Sequence, residues 1–282
     1  SSFININGDL KQTKQSILIY LFFNLLQNIY YSLFPKNFKF LNLDPKKKSY
    51  KFKDHHSISR KLCSIFWKNV NWINLKSFIG KFNICEIGPG DGSYFKHDVK
   101  IKNNYIKQYR GYDVNYYKNW RNNKNKKFSY KKFDGKNFKK IISKNNNLFL
   151  SQSCLEHVKY DLDFIKEIVK TSKKSKTKSL MIHCVPSLFC LFTYLTHGYR
   201  QYNVANINKF SKIIGSENVF VTKLGGLQFN IDHLRKTTLP LIFKDKNLML
   251  KQNKDYYKRL NSKLIKKQNS SLFYSSFVVI IG

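Results

Sequence analysis

An α/β protein, with a mostly parallel sheet covered by helices on both faces, is the fold this sequence predicts. Three observations predict it. From about residue 80, short apolar runs alternate with helical stretches, the pattern of repeated strand–helix–strand units. The first apolar run leads directly into a turn with glycines at alternate positions, "FNICEIGPGDGSYF" at 82–95. The run 271–281, "SLFYSSFVVII", is β-branched and aromatic and supplies a strand after the last helical stretch.

The elements follow in chain order. Residues 11–34 include "SILIYLFFNLLQNIYYSLF". Asn24, Gln27, Asn28, Tyr31 and Ser32 recur along one stripe of it, so the segment is expected to be an amphipathic helix with a wide apolar face. Packing on the domain and lying in a membrane interface, helped by Lys11, Lys14, Lys36 and Lys39, are both compatible with that pattern. A true span is disfavoured, and Pro35 ends the helix. No small-residue cleavage site follows the apolar run at 17–34, so no leader is expected. The basic linker "DPKKKSYKFKDHH" leads to a second helix at roughly 56–70, with Ile58, Leu62, Ile65 and Phe66 on one face. Strands are expected at 82–87, 109–113, 128–132, 147–152, 179–184, 218–223 and 271–281, with helices in the gaps. The clearest of these is 158–170, where Leu162, Ile165, Ile168 and Val169 share a face. The lysine-rich run 170–178 reads as a solvated connection. The expected division is a helical extension over 1–75 and one domain over 76–282.

Composition bounds the function. Five cysteines at 63, 85, 154, 184 and 190 are scattered and odd in number. That disfavours a disulfide framework or a zinc site, so no metal is expected, and suits a reducing, cytoplasmic compartment, with attachment at a membrane surface left open by the first helix. The net charge of +36 attracts polyanions. It comes from 46 lysines against 6 arginines, in a chain also crowded with Asn, Ile, Phe and Tyr. Specific nucleic-acid reading leans on arginine, so a nucleic-acid partner is not favoured.

The glycine turn then narrows the ligand. A dinucleotide loop wants G-x-G-x-x-G, whereas Gly88, Gly90 and Gly92 are spaced by single residues and Ser93 stands where the last glycine would be. Glu86 and Asp91 flank the turn, and no Gly-Lys-Ser/Thr follows it. Those acids would repel a pyrophosphate. They suit a ligand bearing a sulfonium and an ammonium group, such as S-adenosylmethionine. "YRGYDVN" places Asp113 at the end of the next strand, 21 residues after Gly92, where a carboxylate can accept from both ribose hydroxyls. "KKFDGKNF" places Asp134 after the strand that follows, within reach of an adenine amino group. Each Asp alone is equally a turn or cap residue.

With these residues in view, "ICEIGPGDGSY", "YRGYDVN", "FDG" and "LFLSQSCLEHV" resemble, in order and spacing, the signature motifs of class I S-adenosylmethionine-dependent methyltransferases. The resemblance covers roughly 80–185. It implies a seven-stranded Rossmann-like sheet closed by an antiparallel hairpin, and an S-adenosyl-L-methionine cofactor. It also implies a cofactor site of Glu86, Gly88, Pro89, Gly90, Asp91, Gly92, Asp113, Asp134, Gly135, Ser151 and Gln152, with Ser151, Gln152 and Ser153 forming the strand end that faces the methyl group. One departure is Asn147, at a position where many relatives carry an acid.

Methyl transfer needs an acceptor held in line and water excluded. A hydroxyl acceptor also needs a base, for which histidine is suited. His157 in "CLEHV", His183 in "LMIHCVPS" and His197 in "THGYRQY" are the candidates. The competing readings are a helix-start pin for Glu156–His157, a hydrogen-bonded core residue for His183, and a packed turn around His197. Residues 184–202, with Pro186, Phe189, Phe192, Tyr194, Tyr199, Arg200 and Tyr202, are expected to wall the acceptor site, Tyr199 and Arg200 binding a small-molecule or glycan-type acceptor. An RNA methyltransferase and a non-catalytic domain of the same fold are the alternatives.

Overall fold

The structure, a computed structural model, describes residues 14–41, 58–188, 197–243 and 277–282. Its centre is an eight-stranded sheet formed by β1 (Lys39–Phe40), β2 (Phe82–Ile87), β3 (Ile106–Asp113), β4 (Phe128–Lys132), β5 (Leu148–Gln152), β6 (Leu180–Pro186), β7 (Phe220–Leu224) and β8 (Phe277–Ile281), in the order β1-β7-β8-β6-β5-β2-β3-β4. All pairings are parallel except those of β8, which runs antiparallel to both β6 and β7. The expected strands are therefore present, the part of the last at 271–276 lying outside the described residues. The eighth strand, β1, is an addition. It sits at the edge beside β7, where Lys39 N and Leu41 N donate to the backbone oxygens of Val219 and Val221 at 2.9 and 3.0 Å.

The side chains of the central strands alternate between two cores, as the period of two requires. Phe82 and Ile84 of β2, Leu148 and Leu150 of β5, and Ile182 and Cys184 of β6 face one core. Helices α2 (Ile58–Asn69) and α3 (Trp72–Ile79) cover it with Leu62, Trp67 and Ile79. Cys85, Ile87, Phe149, Met181 and Val185 face the other core, covered by α5 (Asp161–Ser175) and α6 (Val204–Ile214) through Phe164, Ile165, Ile207 and Phe210. The second helix thus contributes Leu62, Ile65, Phe66 and Trp67 to the core on the first face of the sheet.

Three differences from expectation have local causes. Between β2 and β5 the connections hold a five-residue π-helical turn (Phe95–Val99), a one-turn α4 (Trp120–Asn123) and a single turn at Phe138–Lys140. "NWRNNKNKK" has no apolar repeat at helical spacing with which to dock a longer helix. Helix α5 continues to Ser175, through part of the lysine run, because lysine is a good helix former on a solvated face. It ends where Lys176 turns left-handed at φ 54°. Third, α1 (Lys14–Ser32) packs the other way round. It buries Tyr20 and Asn24, while Leu18, Phe22 and Leu33 are 68, 59 and 80 % exposed. Tyr20 donates to the backbone oxygens of His197 and Gly198 (3.0 and 3.2 Å), which fixes the buried stripe.

Candidate active site

The parallel strands β2 to β5 all end at one edge of the sheet, and a cleft of about 1270 Å³ opens there. Ligands of open α/β sheets sit beyond this edge, and the volume exceeds the upper end of ordinary small-ligand pockets, about 1,000 Å³. The glycine turn forms its floor. Gly88 has φ +68°, its N–H bonds to Tyr112 O at 2.8 Å, and a methyl group on it would overlap the Cys154 side chain. Gly90 differs. At φ +55°, a methyl on it would meet nothing among the described residues within 4 Å, so this face of the turn is open to the cleft.

Neighbouring side chains hold the turn in place. Asp113 accepts from Gly90 N through Oδ2 (3.0 Å) and from Asn115 N through Oδ1 (3.0 Å). Trp120, buried and stacked on Tyr130, donates Nε1–H to Gly90 O at 2.7 Å. Asn123 donates to Asp91 O at 3.2 Å, and Asp91 Oδ1 accepts from Ser93 N at 2.9 Å. Asp91, Asp113 and Asp134 all line the cleft, with Pro89, Gly135 and Gln152. Asp134 sits at the solvent rim, its carboxylate taking the N–H groups of Lys136 and Asn137, with pKa lowered chiefly by the first of these bonds. Tyr130 lies so close under Gly92 that a side chain there would strike its hydroxyl.

Two expected cofactor residues lie beneath the cleft instead of on it. Glu86 is fully buried and accepts from Tyr109 Oη at 2.6 Å. Burial pushes its pKa up to about 7, against the pull of that bond. Ser151 is also buried, and its hydroxyl pairs with His183 Nδ1 at 2.9 Å. His183, 1 % exposed and set against Phe164, does not line the cleft. Burial lowers its pKa to about 3. It is a neutral core histidine held by Ser151, because its strand position points it toward α5 rather than past the strand end. Of the expected strand-end residues, Gln152 and Ser153 line the cleft, and Gln152 accepts from Trp67 Nε1 at 2.7 Å.

Asn147 has a structural task at the opposite edge. Its oxygen accepts from Asn83 N at 2.8 Å, and its amide donates to Ile79 O and Lys81 O at 2.8 and 3.0 Å. A carboxylate could not make the two donations.

At the far end of the cleft the other two histidines come together. His157 closes the short turn Leu155–His157, and Tyr199 N bonds Glu156 O at 2.7 Å. Gly198 (φ +61°) lets the 197–199 backbone approach so closely that any side chain there would strike the Glu156 backbone. The rings of His157 and His197 consequently meet edge to face at 4.6 Å, beside the fully buried Glu156 carboxylate. His157 and Tyr199 line the cleft.

Arg200 turns away from it, which corrects the expected acceptor contact. It pairs with Asp161 at the start of α5 and donates Nη2–H to Lys159 O at 2.8 Å, while Tyr202 Oη donates to Asp161 Oδ2 at 2.7 Å. The pull of helix α5's first carboxylate, invisible at a spacing of 39 residues, decides its direction. Phe189, Phe192 and Tyr194 lie outside the described residues.

No protein-family profile and no curated protein matches the chain. Solved structures do. A SAM-dependent methyltransferase from Archaeoglobus fulgidus is 17 % identical, with 79 % of this chain and 93 % of that one aligned at a TM-score of 0.43. The plantazolicin methyltransferase BamL, in complex with a triazolic desmethylPZN analog and SAH, is 11 % identical over 95 % of this chain and 98 % of its own, at 0.43. Phosphoethanolamine N-methyltransferase 2 of Haemonchus contortus, with S-adenosyl-L-methionine, is 13 % identical over 79 % of this chain and 56 % of its own, at 0.39. The fold itself is a Rossmann-like sheet closed by an antiparallel strand between β6 and β7.

Proposed function

We propose that the chain is an S-adenosylmethionine-dependent methyltransferase acting on a small-molecule or glycan-type acceptor. One observation carries the reading: three carboxylates, Asp91, Asp113 and Asp134, line one cleft around an open glycine turn that bears no basic residue. Beside the turn these carboxylates disfavour a pyrophosphate and favour a cationic, phosphate-free adenosine ligand, while Arg60, Lys136 and Lys159 supply the cleft's positive charge. Asp113 keeps acceptor capacity beyond its two backbone bonds for the ribose hydroxyls. Asp134 lies where an adenine amino group can donate. The methionine end lies along Gly88–Gly90, and the acceptor enters from the side of His157 and Tyr199. The Glu156–His157–His197 group stands at the acceptor's end of the cleft.

The test is calorimetry with S-adenosylhomocysteine and with NAD, followed by transfer of a labelled methyl group to a panel of oligosaccharide precursors, small acids and RNA. Binding of S-adenosylhomocysteine and labelling of a small or sugar acceptor is the expected result. NAD binding equally well refutes the cofactor, and labelling of RNA alone refutes the acceptor class. Among the described residues no helix is long and apolar enough to cross a membrane. The uncovered apolar face of α1, with Lys36 and Lys39 beyond its end, supports peripheral attachment to an anionic, cytoplasm-facing surface. Failure to sediment with anionic vesicles would contradict that attachment.

A further inference from the structure

Glu156 presents a problem that the rest of the fold does not solve. Its side chain is fully buried, and neither carboxylate oxygen has a hydrogen-bond partner among the described residues. A carboxylate withdrawn from water without compensation is strongly disfavoured. What surrounds it is specific. His197 Nε2 stands 3.5 Å and His157 Nε2 3.8 Å from the same oxygen, Oε1. Both distances fall outside good hydrogen-bond range. The three donor atoms all lie within 4.8 Å of one another. Ligand atoms at about 2.1 Å from a tetrahedral ion are separated by about 3.4 Å, so the two nitrogen–oxygen spacings of 3.5 and 3.8 Å are near those of ligands around a common centre.

We propose that Glu156, His157 and His197 form a binding site for a divalent transition cation of the zinc type. Two imidazoles and one carboxylate are a ligand set for such an ion, and three protein ligands leave a position open. The backbone is built to hold the set. The turn Leu155–His157 fixes two of the ligands, and the Tyr199 N–H bond to Glu156 O fixes the third from across the chain. Tyr20 of α1 and Gln201 both donate to His197 O, at 3.0 and 3.3 Å, and so anchor the backbone of that ligand. Through His157 the open position faces the cleft, where an oxygen of the acceptor can complete the coordination. Placing the acceptor there rests on the methyltransferase reading; the cation site does not. With both Nε2 atoms engaged by the ion, the histidines act as ligands and not as free bases.

The test uses the full chain stripped with a chelator. Zn²⁺ alone is titrated calorimetrically, and Co²⁺ alone is followed by its visible absorption. The expected result is one ion per chain, with nitrogen–oxygen Co²⁺ bands and no thiolate charge-transfer band from nearby Cys154. Glu156→Gln and His197→Gln should each weaken binding at least tenfold, a floor set by the 10- to 100-fold that losing even an outer-shell partner costs. His97→Gln, at an exposed histidine elsewhere, should leave binding unchanged. His157→Gln, at a half-exposed side chain, serves if Glu156→Gln does not fold. Absence of stoichiometric binding, a thiolate band, or equal affinity in the ligand variants overturns the proposal. S-Adenosylhomocysteine binding is measured on the same proteins. Its retention without metal binding sinks the cation site alone, and its loss in the wild type with metal binding intact sinks the cofactor reading alone.

Discussion

Replacing Asp113 by Asn separates the two roles that the structure gives this carboxylate. One oxygen takes Gly90 N–H and the other Asn115 N–H, each at 3.0 Å. Asparagine has a single acceptor oxygen, so one of these bonds is lost whichever way the amide turns. A hydrogen bond to a charged group contributes about 1.5–3 kcal/mol; with Asn115 exposed, the lower figure applies to the turn. The cofactor loses more. Two ribose hydroxyls that would donate to a carboxylate then face an amide with one oxygen already in use. That corresponds to about 2–4 kcal/mol, or about a 30- to 1,000-fold rise in Kd. The assay is calorimetric titration of S-adenosylhomocysteine beside thermal unfolding of the same samples. A loss of affinity well above the loss of stability is expected. If Asp113→Asn binds within threefold of the wild type, Asp113 does not hold the ribose.

Three further outcomes follow from the geometry. Gly88→Ala should destabilise by about 2–5 kcal/mol, from left-handed strain plus overlap with Cys154. Gly90→Ala should cost only the strain, about 1–2 kcal/mol, yet weaken cofactor binding tenfold or more; equal stability losses, or intact binding by Gly90→Ala, would contradict the assignment of its open face. Glu86, with a native pKa of about 7 against an ordinary 4.5, gives stability that is fully present below pH 4.5 and lost as pH rises through 7. Against Glu86→Gln, which cannot ionise, the wild type should lose about 3 kcal/mol over that window in urea unfolding; parallel pH curves would show that burial does not raise the carboxyl. Arg200→Met should lower stability by about 3 kcal/mol, because the buried Asp161 loses its counter-charge and keeps only the bonds from Tyr202 and Leu162 N, while turnover per folded molecule changes little; lost turnover in a stable variant would return Arg200 to the acceptor site.

The strands and the glycine turn were legible because their signals are local. Apolar runs bounded by turn residues marked the strands from 82 to 224, and Asp113 followed its turn at a fixed distance. What escaped depends on contacts between distant residues. Arg200 stood out as a rare arginine between tyrosines, but its partner Asp161 lies 39 positions away. His183 ended an expected strand like the cleft residues, yet the alternation of side chains turned it inward to Ser151. Glu156 passed as a helix-start acid beside His157. Only the loop that returns at 197–199 reveals it as the buried member of a cluster. For α1 the apolar majority suggested the buried face, whereas the hydrogen-bonding reach of Tyr20 selects the opposite one.

The placement of β8 bears on how the chain comes off the ribosome. Among the described residues, β7 touches the rest of the sheet only through β8, its other neighbour being the two-residue β1. When synthesis has passed Leu224, β6 and β7 therefore each present an unpaired edge, and 277–281 has yet to be made. At about 5–20 residues per second that interval lasts roughly 3–11 s. Exposed β edges pair readily with other chains, so yield in a recombinant host should respond more to elongation rate and chaperone supply during this window than to the stability of the finished fold.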